Sequence, residues 1–270
     1  MLLPGLLYLL IFRYIPIYGL IIAFKDFNIF QGFLNSPWVG LEQFRKVFSN
    51  PEFYQVLTNN LIISFYKIIF LFPLPIILAI LINEIKNVVF KRTIQTVIYL
   101  PHFLSWTIIY GIFFVVLNST GIVNQLIKYL GGETVSFFTN PAIFRSLLVV
   151  TAGWKGVGFN TIIYLAAITS INPQLYEASI VDGANKFKQI IHITIPGISS
   201  TIIVLFILRI GNILKEGFTQ ILAMYNPAVY SVADTISTYV YRNGLGQMRF
   251  SYSTAIGLFK RKFLPIKFLN

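Results

Sequence analysis

The sequence predicts an all-α membrane protein with about six transmembrane helices. Of its 270 residues, 56% are hydrophobic and only 11% are charged, and the mean hydropathy is +0.74. Soluble domains carry about 25% charged residues, so a water-soluble fold of this length could not bury so much apolar surface. Long apolar stretches alternate with short polar loops, which is the pattern of a multi-pass membrane protein.

The net charge of +12 does not indicate a nucleic-acid partner. The basic residues form no single patch, and many flank apolar stretches, as at 86–92 and 260–262. Charges in such places anchor spans and meet anionic headgroups, so we expect membrane lipid as a partner and no nucleic acid. The chain has no cysteine and two widely separated histidines, so neither a metal site nor a catalytic site is predicted.

The first candidate span lies at residues 2–24, since a helix needs about 20 mostly apolar residues to cross a bilayer. This stretch contains Arg13 and Pro16, so an irregular helix is predicted. It lacks the charged start and the cleavage site of a signal peptide, which favours a transmembrane segment. An outer loop follows to residue 57, and its amphipathic part at 41–48 is expected at the membrane interface.

Four further spans are predicted at residues 58–82, 94–117, 143–171 and 198–222. Prolines inside the second and third spans of the chain predict kinks there. A sixth span should begin near residue 251, but its apolar part ends at the basic run 260–262. That length cannot cross about 30 Å of hydrocarbon as a helix, so we expect the last helix to be truncated. The order of spans places loops 83–93 and 172–197 on one side, the cytoplasm if the N-terminus is inside.

The most polar interruption of the apolar sequence lies at residues 172–196. Asn172 can cap a helix, and Pro173 suits its first turn. Glu177 falls early in that helix, where the helix dipole favours a carboxylate. Gly183 permits a left-handed turn, after which a second short helix is predicted. The segment is therefore expected to form two short helices that face water.

Three parts of this segment resemble the EAA loop of ATP-driven import permeases, the surface on which a permease receives force from its ATPase. The matching residues are Glu177-Ala178, Asp182-Gly183-Ala184 and Ile193-Thr194-Ile195-Pro196. Identity and spacing agree with the family pattern, with Ser179 in place of alanine and Ile195 in place of leucine. Segments elsewhere resemble the LplB-type sugar permeases, namely 14–19, 23–27, 38–41, 72–75, 83–84 and 99–103.

The resemblance implies the type I ABC importer permease fold, also called MetI-like or ABC transmembrane type-1. Residues 1–57 would then form the first helix and outer loop, residues 58–259 the permease core, and residues 260–270 a basic tail. The EAA loop would cover residues 172–197 of that core. The residues implied to dock the ATPase are Glu177, Ala178, Ser179, Asp182, Gly183 and Ala184.

The resemblance also implies the partners. They are ABC ATPase subunits in the cytoplasm, a second homologous permease that forms a heterodimer with this chain, and an extracytoplasmic solute-binding protein. The location implied is the bacterial cytoplasmic membrane. The resemblance implies that ATP and Mg are used by the partner ATPase. This chain has no phosphate-binding loop, so it is not expected to hydrolyse ATP, and no cofactor of its own is expected. We expect a transport subunit rather than an enzyme. This subunit would move a sugar, most simply an oligosaccharide, across the membrane by alternating access.

Polar residues inside the predicted spans are candidates for the substrate path, because such groups usually face a cavity or a partner. A sugar site needs amides that pair with hydroxyls and an aromatic face for stacking. The resemblance places the cavity near the fifth span. The candidates are Asn212, Glu216, Trp154, Asn160 and Tyr164. The competing interpretation puts Glu216 at the outer end of its span and Trp154 in simple packing.

Other functions stay open at this point. The same machinery could carry a peptide or another small solute, since the EAA loop does not discriminate between cargoes. A proton-coupled secondary transporter would need inverted repeats and a buried acidic relay, for which Glu216 alone is thin support. A membrane-embedded enzyme would need clustered carboxylates or a histidine motif, and the nine acidic residues are scattered.

Overall fold

The computed structural model describes residues 2–213 and 217–262, the last two by their backbone alone. The first nine helices are α1 (Leu3–Leu9), α2 (Ile15–Tyr18), α3 (Gly32–Asn35), α4 (Glu42–Ser49), α5 (Pro51–Leu71), α6 (Pro73–Asn83), α7 (Val88–Tyr99), α8 (Trp106–Leu117) and α9 (Ile122–Tyr129). The later helices are α10 (Pro141–Thr169), α11 (Pro173–Val181), α12 (Lys186–Gln189), α13 (Ile195–Gly197), α14 (Ser199–Gly211), α15 (Phe218–Met224), α16 (Tyr230–Ala233), α17 (Ile236–Tyr241) and α18 (Phe250–Lys262).

The chain divides into two compact units. The terminal unit contains residues 1–60 and 234–270, and the central unit contains residues 61–233. Within the described residues, four helical stretches are long and apolar enough to cross a membrane: Leu3–Phe24, Pro51–Asn83, Trp106–Tyr129 and Pro141–Thr169. A bent pair, Lys186–Gly197 with Ser199–Gly211, could form a fifth span.

The first, second and fourth predicted spans are confirmed as helical stretches. The first is irregular as expected, because Leu10–Tyr14 is π-helical and Gly19–Phe24 is a 3₁₀ helix. The second begins at Pro51, earlier than predicted, and it is interrupted at Phe72, directly before the first of two prolines. The fourth is continuous over Pro141–Thr169, although its centre is rich in glycine.

The prediction of one continuous third span over residues 94–117 is wrong. Helix α7 ends at Tyr99, a 3₁₀ segment covers Leu100–Phe103, and α8 begins only at Trp106. Pro101 lies in the 3₁₀ segment, where its missing N–H removes a donor and its ring disfavours a continuing α-helix. Ser105 then caps α8 by accepting a hydrogen bond from the N–H of Ile108 at 3.3 Å.

The fifth span also differs from the prediction at residues 198–222. The helical stretches before and after Ile198 meet at 60°, and α14 ends at Gly211. Just beyond that end, the hydroxyl of Ser64 donates to the carbonyl oxygen of Ile213 at 2.6 Å. Gly217 has φ +84°, a left-handed conformation that glycine adopts without steric penalty, and α15 follows it. The sixth predicted helix begins as expected, with α18 at Phe250–Lys262.

The apolar core of the central unit is built on α10. Phe144 and Leu148 of this helix are fully buried, and they pack in one cluster with Ile63, Ile109 and Ile221. Gly153 allows close packing, since an added Cβ there would lie 2.9 Å from a methyl carbon of Leu71. The core of the central unit is therefore built around one long, continuous helix.

The terminal unit contains a partly buried polar network around Arg242. One guanidinium nitrogen of Arg242 donates to a carboxylate oxygen of Glu52 at 2.7 Å and to Asp234 at 2.6 Å. The hydroxyl of Thr238 donates to the other oxygen of Asp234 at 2.6 Å, and the hydroxyl of Tyr239 donates to Glu52 at 3.2 Å. Burial raises the pKa of Asp234, while the bonds from Thr238 and Arg242 act in the opposite direction.

We expect Arg242→Met to destabilise the protein by roughly 3 kcal/mol, because it leaves the buried carboxylate of Asp234 without its cation. The measurement is the thermal unfolding midpoint of the purified protein in mild detergent. Lys46→Met is the matched control, since it breaks the Lys46–Glu42 pair, whose side chains are about half exposed. An unfolding midpoint that falls equally in both variants would contradict a larger stabilising contribution from the Arg242–Asp234 pair than from the Lys46–Glu42 pair.

Candidate EAA loop and membrane cavity

The EAA loop folds as the sequence predicts. The side chain of Asn172 caps α11 by accepting from the N–H of Gln174 at 3.0 Å, and Pro173 occupies the first helical position. Gly183 ends the helix with φ +75°. Asn185 then caps α12 by accepting from the N–H of Lys188 at 2.9 Å.

Two side-chain hydrogen bonds brace the halves of the EAA loop against each other. The amide of Gln189, which is buried, donates to the hydroxyl of Ser179 at 2.9 Å. The hydroxyls of Tyr176 and Thr194 lie 2.9 Å apart. Ser179 replaces an alanine of the family pattern, and alanine could not accept the bond from Gln189. The loop is therefore a braced unit rather than a flexible connection.

The surface of the EAA loop combines exposed charge with exposed apolar side chains. Glu177, Ala178, Asp182 and Gly183 are exposed, whereas Ser179 and Ala184 are half-buried. The large apolar side chains that are exposed beside them are Leu175, Ile180, Val181 and Phe187. Val181 is 88% exposed, which is unusual for a valine and is typical of a surface that a partner covers.

An ion pair connects the EAA loop to loop 83–93. The ammonium of Lys186 lies 3.0 Å from a carboxylate oxygen of Glu84. Both side chains are partly exposed, so the pair contributes little to stability. It does show that the two loops lie on the same side of the membrane, as the order of spans predicted.

We expect Gly183→Val to weaken any interaction that depends on the shape of the EAA loop, because a residue with a Cβ costs about 1–2 kcal/mol in this left-handed conformation. Space is not the obstacle, since an added Cβ would have no atom within 4 Å. Gly183→Asn is the matched control, because asparagine tolerates positive φ. The measurement is recovery of the ATPase subunit with the tagged permease. Equal losses in both variants would mean that the backbone conformation is not the cause.

A cavity of about 420 Å³ opens among the helices of the central unit. Its walls come from α5, α6, α10, α14 and α15, together with the start of α8 and residues near Gly217. Ligand pockets of small molecules have volumes of about 300–1,000 Å³, so the cavity is large enough for part of an oligosaccharide. Along α10, its wall is a stripe of residues four positions apart, Ala152, Gly156, Asn160 and Tyr164.

Three of the residues predicted for the substrate path line this cavity. Asn160 is exposed, and Tyr164 is 3% exposed. Asn212 lines the cavity as well, while its amide donates to the carbonyl oxygen of Leu208 at 2.9 Å. Trp154 is not among the lining residues, and it packs edge-on against Phe113. Glu216 lies outside the described residues.

Gln220 is a polar residue of the cavity wall that the sequence interpretation missed. It is fully buried, and its carbonyl oxygen accepts from the ammonium of Lys67 at 2.7 Å. Its amide nitrogen donates to the carbonyl oxygen of Leu148 at 2.6 Å and to the hydroxyl of Thr151 at 2.8 Å. The sequence did contain a signal for this residue, namely an amide within the apolar sequence of α15. Burying such a group in a bilayer costs free energy unless it is hydrogen-bonded, so it indicates a site with polar partners.

The cavity wall offers groups for a polyhydroxylated ligand. Amides of Asn160 and Asn212 can pair with hydroxyls, and Trp106 contributes an aromatic surface. Lys67 and Arg209 add cationic groups to the lining. In the part of the chain that the structure describes, no group of three or more histidine or acidic residues could hold a metal ion.

The permease core matches a known family. The model for the inner membrane component of binding-protein-dependent transport systems matches residues 71–259. The chain belongs to this family. It is 49% identical to protein LplB of Bacillus subtilis over 96% of this chain and 82% of that protein. It is 46% identical to the polygalacturonan/rhamnogalacturonan transport permease YteP of the same species, over 96% of this chain and 81% of that protein.

The fold is also that of solved family members. A bacterial ABC transporter that imports the acidic polysaccharide alginate contains a chain 42% identical to this one, with a TM-score of 0.91. The match covers 98% of this chain and 89% of that chain. A second structure, of a bacterial alginate transporter in complex with a periplasmic protein bound to an alginate pentasaccharide, matches with a TM-score of 0.89 and 41% identity over 98% of this chain and 88% of that chain. The predicted type I importer permease fold is confirmed.

Proposed function

We propose that this protein is the permease subunit of an ATP-binding-cassette importer that moves an oligosaccharide across the bacterial cytoplasmic membrane. The cavity of the central unit is the translocation site, and the EAA loop receives force from separate ATPase subunits. A second homologous permease and an extracytoplasmic binding protein complete the importer. The observation that carries this proposal concerns α10. Several residues of the stretch 152–164 in this helix line the cavity, and its C-terminal end leads directly into the EAA loop.

The cargo class is supported by the relatives and by the cavity. Besides YteP, a relative of 32% identity, AraP of Bacillus subtilis, is a permease for arabinooligosaccharides, and it matches over 94% of this chain and 80% of its own length. Together with the alginate transporter, these proteins handle chains of sugar units. The amides and the aromatic surface of the cavity suit such a ligand better than an apolar one.

The path of force follows from the connections of the EAA loop. Tyr164 at the cavity lies five residues before the end of α10, a distance of about 7.5 Å along a helix. The other end of the loop enters α14, which lines the cavity through Leu205 and Arg209. A displacement of the loop therefore moves two walls of the cavity, which is what alternating access requires.

We expect Glu177→Lys to uncouple the permease from its ATPase, because it reverses an exposed charge at the centre of the docking surface. The tagged importer is purified in mild detergent, and both the recovered ATPase subunit and its activity are measured. Glu133→Lys is the control, since it makes the same charge change at an exposed position outside the EAA loop. Normal coupling in Glu177→Lys would exclude the docking role of this surface.

The cargo class is tested by uptake into proteoliposomes that contain the whole importer and its binding protein. The probes are an alginate pentasaccharide, a galacturonan trisaccharide and arabinotriose, with a tripeptide as the comparison. We expect ATP-dependent uptake of at least one oligosaccharide and none of the tripeptide. Uptake of the tripeptide alone would overturn the proposed cargo but leave the importer assignment intact.

A further inference from the structure

The break between α7 and α8 interrupts the hydrogen bonds that a continuous helix would form. Between α7 and α8, residues 100–105 form no α-helix. Carbonyl groups at such a break lose their usual helical partners, and an unbonded carbonyl that is removed from water costs free energy. The break therefore needs a donor from a neighbouring element.

Lys155 of α10 provides that donor. Its ammonium donates to the carbonyl oxygen of His102 at 2.7 Å and also to the carbonyl oxygen of Leu104. Glycine makes this approach possible, because a Cβ at Gly158 would lie only 2.0 Å from the carbonyl oxygen of Ile98. A charge in the middle of a predicted span thus has a structural function at the break.

The same ammonium also lies over the indole of Trp106. The distance from the Lys155 nitrogen to the ring centroid is 5.6 Å, within the range of a cation–π interaction. Trp106 is the first residue of α8, directly after the break, and it lines the cavity. Lys155 is not among the lining residues. One side chain therefore fixes both the break and the ring that follows it.

Among the aromatic residues of the cavity wall, Trp106 is the best suited to contact a ligand. Tyr164 is almost completely buried, and Phe72 already packs edge-on against Phe206 with ring centroids 5.1 Å apart. Indole combines a large apolar face with an N–H donor, which suits the apolar C–H face and the hydroxyls of a sugar ring. Gly156, another residue of the cavity wall, adds no side chain to the cavity.

We propose that Trp106 is the aromatic platform on which a sugar ring of the cargo packs, and that Lys155 is the positioning residue that holds this platform at the cavity wall. The inference rests on the oligosaccharide cargo proposed above. It assigns the stacking function to a residue other than Trp154, the tryptophan that the sequence favoured.

The test compares Trp106→Ala, Trp106→Phe and Trp154→Ala in the whole importer, with the same three oligosaccharides. Direct binding to the purified importer without binding protein is measured by titration calorimetry, and uptake is measured in proteoliposomes. We expect Trp106→Ala to weaken binding about tenfold and to reduce uptake. Trp106→Phe should retain part of the affinity, and Trp154→Ala should bind like the wild type.

The positioning function is tested with Lys155→Met and Lys155→Arg. Lys155→Met should weaken binding in the same direction as Trp106→Ala, and Lys155→Arg should restore it, because a guanidinium can donate to two carbonyl oxygens. If Lys155→Met does not assemble, the affinities of Lys155→Arg and of the Trp106 variants still test the inference.

Wild-type affinity in Trp106→Ala, with affinity lost in Trp154→Ala, would overturn the function inferred for Trp106 and leave the proposed cargo intact. Absence of binding and uptake of all three oligosaccharides by the wild type would instead contradict the proposed cargo.

Discussion

The central unit depends on the requirement that backbone polar groups be bonded inside the membrane. A continuous helix meets this requirement by itself, but a broken one does not. The third span is broken beside the cavity, and Lys155 bonds the exposed carbonyls there. Just beyond the end of α14, the hydroxyl of Ser64 donates to the carbonyl oxygen of Ile213. Side chains from two neighbouring helices thus donate to backbone carbonyl groups where the helices near the cavity are interrupted.

Helix α10 joins these features into one element. It contributes buried side chains to the apolar core, a stripe of four residues to the cavity wall and the ammonium that fixes the break in the third span. Its end leads into the EAA loop, whose two halves are braced by the hydrogen bonds of Ser179 and Tyr176. A stiff loop on a stiff helix can transmit displacement, whereas a flexible connection would absorb it.

The sequence predicted well what is determined locally. Caps at Asn172 and Asn185 and a left-handed glycine at Gly183 are encoded within a few residues, and the EAA loop folds accordingly. Apolar length likewise identified the first, second and fourth spans. Family resemblance added the permease fold, which local signals alone could not supply.

The residues around the cavity could not be predicted in the same way, because their positions depend on contacts between distant helices. Trp106 and Trp154 are equivalent in the sequence, since each is a tryptophan within an apolar stretch. Only the packing of α8 against α10 distinguishes them. The buried bonds of Gln220 connect residues about 70 to 150 positions apart, a separation that no local pattern records.

The contact at Gly158 limits which residues this position can accept. The backbones of α7 and α10 approach each other there without an intervening side chain, so a larger residue at position 158 would force the two helices apart. The Lys186–Glu84 ion pair joins the neighbouring loops at the same side of the membrane. The EAA loop and loop 83–93 are therefore neighbours, and a partner that covers one of them also lies close to the other.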